Sequence, residues 1–234
     1  EDLGYFAKGN HGADFLIKDM HRLTLIMKKN YPDLPYVLIG HSMGSYMSRK
    51  YASIYGDELD GVIFLGTGNQ PKAVVDSGLK LAHIAKFVRG ERYRSELLNT
   101  IMFGAYNKRI KDNRTANDWL TKDTKIVDEY LNDPKCSYKF TANAYIGFLN
   151  VIKYDIDKKN IAKTPDKLPV LFASGLEDPV GDYGKGVKKA FKMYTKYVDN
   201  VELYLYEDDR HELHSETDRE DIFNDLYEWI EENV

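Results

Sequence analysis

The chain has a single cysteine, Cys136, among its 234 residues. That excludes an intrachain disulfide and any multi-cysteine metal site, and it fits a reducing, cytoplasmic compartment. No apolar run approaches the ~20 residues that a membrane-spanning helix needs, so no integral membrane segment is expected. Positive charge is not in excess: 33 Lys and Arg stand against 37 Asp and Glu, a net charge of −4. Nucleic acid therefore has no electrostatic claim on the chain, and the cluster Lys108-Arg109-Ile110-Lys111 reads as a solvated face. Internal repeats and low-complexity segments are missing. So are an initiating methionine, a signal peptide and a recognisable strand ahead of the first helix, which reads as a trimmed, processed or partial chain. What is present, 43% hydrophobic and 30% charged residues, suits a globular protein with one α/β domain and an insertion.

Hydrophobic spacing supplies the order of elements. Leu16, Met20, Leu23 and Met27 recur at helical intervals between Asp14, a candidate N-cap, and Asn30, with Pro32 beyond. Tyr36 to Ile39 is a continuous apolar run of the doubly buried strand kind, and Ser45 to Tyr55 reads as a helix stopped by Gly56-Asp57. Val62–Leu65, Val170–Ala173 and Val201–Tyr206 read as three further strands, the last with alternation. Val187, Phe191, Tyr194 and Val198 mark a helix between the last two strands. Ile222, Leu226, Trp229 and Ile230 mark a final one, for which Thr217-x-x-Glu220 is a candidate capping box. Strands separated by helices predict a parallel sheet. The rhythm breaks over residues 67–168, which carry helical patterns, many aromatics and no convincing strand. This stretch is expected to be a helical cap, or lid, over a core formed by residues 1–66 and 169–234.

One motif carries the chemistry. Gly40-His41-Ser42-Met43-Gly44 lies between the first strand and the helix after it, the strand-turn-helix setting of a serine nucleophile elbow. Side chains at the two glycines are expected to clash with the neighbouring strand and helix, while Ser42 keeps its hydroxyl exposed. A serine hydroxyl needs a base, and six histidines are available. His41 is beside the serine on a sharp turn and is expected to line the turn or to hydrogen-bond locally. His11, His21 and His83 have no motif around them and read as surface or packing residues. His211 follows the fourth strand after the acidic loop Glu207-Asp208-Asp209-Arg210 and is the preferred base, with His214 second. The acid that orients the imidazole is expected in Gly175-Leu176-Glu177-Asp178-Pro179-Val180, with Asp178 preferred over Glu177 because the Asp-Pro turn fixes its backbone. His211-Glu212-Leu213-His214 has H-E-x-H spacing rather than H-E-x-x-H and shows no third ligand, so no metal is expected.

With these residues in place, the chain resembles the serine hydrolase family of monoacylglycerol lipases, lysophospholipase-like proteins and serine aminopeptidases. The resemblance runs through Gly40–Ser45, Asn117-Asp118-Trp119-Leu120-Thr121-Lys122-Asp123, Ser174–Gly181, and Arg210-His211-Glu212 with Glu216 behind it. It implies an α/β-hydrolase-type, mostly parallel sheet with a helical cap over a lipophilic pocket and no cofactor. It also implies Ser42 as nucleophile, Asp178 as acid and His211 as base. Members of the family begin with further strands and a His-Gly loop that donates half of an oxyanion hole; His11-Gly12 is not that loop. The sheet is accordingly expected to be N-terminally truncated, leaving the Met43 N–H as the one legible oxyanion donor. The expected activity is hydrolysis of a lipophilic carboxylic ester, of lysophospholipid or monoacylglycerol type, through an acyl-enzyme. The competing expectation is a weakly active or inactive remnant that self-associates or binds. An uncovered edge near Tyr36–Ile39 would favour a homodimer.

Overall fold

A computed structural model of the protein describes residues 3–111 and 113–234. In chain order its elements are α1 (Gly12–Asn30), β1 (Val37–His41), α2 (Met43–Tyr55), β2 (Gly61–Leu65), α3 (Lys72–Arg89), α4 (Glu96–Phe103), α5 (Thr124–Asn132), α6 (Ala142–Asp155), α7 (Lys158–Ile161), β3 (Val170–Gly175), α8 (Lys185–Tyr194), β4 (Val201–Tyr206) and α9 (Arg219–Asn233). The four strands form one sheet in the order β1-β2-β3-β4, every pair parallel, with Ile39 opposite Ile63, Phe64 opposite Phe172 and Ala173 opposite Tyr204. The two inner strands read as unbroken apolar runs because both of their faces are covered. Val62, Phe64, Val170 and Phe172 point into the larger core among α1, α2, α3, α6 and α8. Their neighbours Ile63, Leu65, Leu171 and Ala173 point the other way, onto Ile222, Leu226 and Trp229 of α9. Each of these side chains larger than alanine contributes roughly 1.5–3 kcal/mol by leaving water.

Several local expectations are corrected. Strand β1 is an edge rather than a doubly buried strand: among the described residues it pairs only with β2, and Ile39 is 49% exposed. In α1 the inward stripe runs through Ala13, Ile17 and Thr24, and Leu23 faces outward. The helix begins at Gly12, and Asp14 is no cap; its carboxylate meets Lys50 Nζ at 2.5 Å. Helix α9 starts at Arg219 with Asp218 before it, without a side-chain cap, so the Thr217–Glu220 box does not form. Strand β4 has no alternation of burial, because all six residues are half-buried at the opposite edge.

Among the described residues, the stretch 67–168 is helical and contains no strand. Its last long helix, α6, is buried on nearly every side and packs against α1, α2 and α3, which explains its apolar sequence. No helix among the described residues is long and apolar enough to cross a membrane.

Candidate active site

The turn from β1 into α2 forces Ser42 into φ 54°, ψ −121°, a strained region for a residue with a side chain. The neighbouring structure holds it there. The Ser42 N–H donates to Leu65 O at 3.0 Å, and its carbonyl accepts from the Ser45 N–H at 2.9 Å and Ser45 Oγ at 2.6 Å. Only the first of the two motif glycines is sterically required. A Cβ on Gly40 would lie 2.5 Å from Gly44 O and 2.3 Å from Ser48 Oγ, whereas one on Gly44 would meet nothing within 4 Å. The Met43 N–H begins α2, a position with no acceptor within the helix, and Met43 lines the same cavity as Ser42.

Asp178 follows β3 in a tight turn and is fully buried. Its Oδ1 accepts the Val180 N–H at 2.8 Å and His211 Nδ1 at 3.0 Å, and Ser174 Oγ donates to Oδ2 at 3.4 Å. A carboxylate accepts only, so Nδ1 carries a proton, and in the neutral ring Nε2 keeps its lone pair. That Nε2 is buried and has no partner among the described residues. Glu177, the alternative acid, is exposed and lies 3.7 Å from Arg210 Nε. Gly66, at φ +58°, makes room for the base: a Cβ there would come within 3.0 Å of the His211 ring.

The loop that carries His211 is tied to residues 117–122. Arg210 Nη1 donates to the carbonyls of Asp118 at 2.7 Å and Thr121 at 3.0 Å, and the Glu212 N–H donates to Leu120 O at 2.7 Å. Buried Glu216 accepts from the N–H groups of Arg210 and Lys122 and from Thr121 Oγ1, at 2.8, 3.0 and 3.0 Å. Burial raises its carboxyl pKa in spite of these donors. The Trp119 ring lies 5.0 Å from the His211 ring. These two segments are nearly a hundred residues apart, and their coupling has no local sequence signal beyond the composition of each. Asp209, Glu216 and Asp218 bring carboxylate oxygens within 4.8 Å of one another, but the Lys122 ammonium already stands 2.5 Å from Asp209 and 3.8 Å from Asp218.

The other histidines separate clearly. His21 stacks on Tyr55 at 3.8 Å and meets Glu58 Oε1 at 2.7 Å, a packing role. His214 is exposed, its ring edge-on to His41. His41 does not bond locally: its Nε2 lies 3.1 Å from the backbone oxygen of His211.

Ser42, Met43, His41 and His211 share a cavity of about 810 Å³. Its walls come from the inserted stretch, with Phe103, Trp119, Leu120, Tyr130, Phe140 and Phe148 as apolar surface and Asn99, Asn107 and Asn117 as polar points. A pocket of this size, mostly apolar with a few convergent polar groups, suits a ligand with a hydrocarbon portion.

A parallel sheet with helices on both faces, and a serine on a strained turn at a strand's carboxyl end beside a buried His–Asp pair, define an α/β hydrolase. Within that class the chain belongs to the serine aminopeptidase S33 family, whose model matches residues 8–218. It is 21% identical over 216 residues to a monoglyceride lipase homolog from Monkeypox virus, covering 92% of this chain and 69% of that protein. A highly thermostable carboxyl esterase from Bacillus coagulans, solved in complex with glycerol, is 28% identical with a TM-score of 0.87, covering 97% of this chain and 73% of that one. A soluble variant of monoglyceride lipase from Saccharomyces cerevisiae, solved with a substrate analog, shares the fold at 21% identity and TM-score 0.70, over 97% of this chain and 71% of that one.

Proposed function

We propose that the protein is a serine hydrolase that cleaves the carboxylic ester of a lipophilic acyl substrate, of monoacylglycerol or lysophospholipid type, through an acyl-enzyme. The observation that carries this reading is the meeting of Ser42, on its strained turn, with the His211–Asp178 pair at one apolar-walled cavity. In this mechanism His211 Nε2 takes the proton of Ser42 Oγ as that oxygen attacks the ester carbonyl. Asp178 holds the tautomer and stabilises the imidazolium. The Met43 N–H faces the developing oxyanion, a kind of donor whose removal typically costs about 10²–10³ in rate. The imidazolium then protonates the departing alcohol, and water activated by His211 releases the acid and frees Ser42. Within residues 67–168, the cavity wall from Asn99 to Phe140 acts as the cap and receives the acyl chain, whereas α6 belongs to the core.

Hydrolysis of p-nitrophenyl butyrate by the chain and by its Ser42→Ala variant tests the reading. Turnover that disappears in the variant supports it. Turnover that persists in the variant overturns it, and no turnover in either protein overturns it in favour of a folded protein that binds without cleaving. Acyl-CoA and aminoacyl-anilide substrates set beside esters of increasing chain length separate ester hydrolysis from thioester or amide chemistry.

We also propose that the unpaired side of β1 joins a second copy of the chain. The support is the edge position of this strand and the exposure of Ile39 on it.

A further inference from the structure

His41 is half-buried at the end of β1, next to the candidate nucleophile, yet it reaches a residue 170 positions away. The acceptor is the backbone oxygen of His211 at 3.1 Å. A carbonyl can only accept, so His41 Nε2 carries the proton and the ring is a neutral donor. Two rings lie against it: His211, centroid to centroid 4.7 Å, and His214, also 4.7 Å. Burial, followed by the proximity of His211 and His214, pushes the His41 pKa down to about 2, so it stays uncharged at any working pH. On the base's own loop Glu212 acts electrostatically on His214, while Asp178 is engaged by His211.

The covalent arrangement makes this contact more than packing. His41 and Ser42 are adjacent, so the hydrogen bond ties the nucleophile's backbone to the backbone of the base across the mouth of the sheet. Asp178 fixes the His211 ring at Nδ1, but a ring bonded at one nitrogen can still move with its loop. We infer that His41 is a positioning residue, whose hydrogen bond to the His211 carbonyl fixes the base relative to Ser42. Its permanent neutrality suits that place, because a cation there would oppose the imidazolium that forms on His211. The inference rests on the proposed roles of Ser42 and His211.

The test compares His41→Leu, which removes the donor, with His41→Gln, whose amide nitrogen replaces Nε2. Two readouts are taken: kcat and KM for p-nitrophenyl butyrate, and the downfield proton resonance of the His211 Nδ1–H bonded to Asp178. Leucine is expected to lower kcat roughly ten- to a hundredfold with little change in KM, as a displaced catalytic group does. It is also expected to broaden the downfield resonance by exchange, while glutamine keeps kcat within about threefold of the parent and the resonance sharp. A leucine variant with parental kcat and a sharp resonance overturns the inference. Glutamine falling as far as leucine overturns the hydrogen-bond account. Ser42→Ala, run alongside, reports separately on the hydrolase reading: if it stays active that reading fails, while the resonance still decides whether His41 holds His211.

Discussion

Asp155 is the residue at which charge and burial conflict most sharply. It closes α6 with a side chain that is almost wholly buried and whose two oxygens have no donor among the described residues. Arg49, also buried, spends its guanidinium on the backbone oxygens of Gly68 and Asp155 instead, at 2.8 and 3.0 Å. Burial therefore pushes the Asp155 carboxyl from 3.8 to about 8 against the weaker pull of Arg49 and Lys50. The folded protein holds this proton while the unfolded chain releases it. The resulting stability is complete below about pH 4 and is lost as the pH rises toward 8. Asp155→Asn is expected to remove that loss. Melting temperatures at pH 5 and pH 8 check it: the parent should fall by more than the variant, and equal falls would show that Asp155 is ionised in the fold.

At the scale of elements, the site depends on how closely two strand ends approach their neighbours. The end of β3 passes so near the base loop that a Cβ on Gly175 would lie 2.0 Å from Asp209 O and 2.4 Å from Arg210 O. Gly175→Ala must push β3 and the loop apart, and with them Asp178 and His211. Overpacking of this kind costs about 1–3 kcal/mol, and the same displacement should lower kcat at least about tenfold. Gly44→Ala, in open space on α2, is the matched control and should leave kcat and melting temperature close to the parent's or slightly above. Kinetics and thermal melts on the two variants decide the matter, since equal effects would mean that the steric contact is relieved without moving the loop.

For the whole molecule, the consequential asymmetry is between the covered middle of the sheet and its edges. Ile63 and Leu171 disappear beneath α9, whereas Ile39, in register with Ile63, stays half-exposed on a strand with one unpaired side. Placing a charge on that edge should weaken association between copies. Sedimentation of the parent is expected to show a concentration-dependent dimer that Ile39→Lys shifts to monomer. A parent that remains monomeric at the highest concentrations rules the dimer out.

The linear sequence was sufficient for the strand runs and the turns that follow them, though not for the caps, since neither Asp14 nor Thr217 caps its helix. Strand runs such as Val62–Leu65 and Val170–Ala173 announce themselves because each residue there is buried whichever way it points. Ser42, Asp178 and His211 stand out because each sits just past a strand, where a short turn must present a side chain. The tertiary structure alone decided which contacts close between segments remote in sequence. It set His41 on the carbonyl of His211, Glu216 under the amides of Arg210 and Lys122, and Gly175 against Asp209. It also left Gly44 without the steric duty its place in the motif suggested, and turned Leu23 outward. The reason is physical: hydrophobic period and turn chemistry act over a few residues, whereas these hydrogen bonds and close approaches exist only once parallel strands bring separate loops to the same end of the sheet.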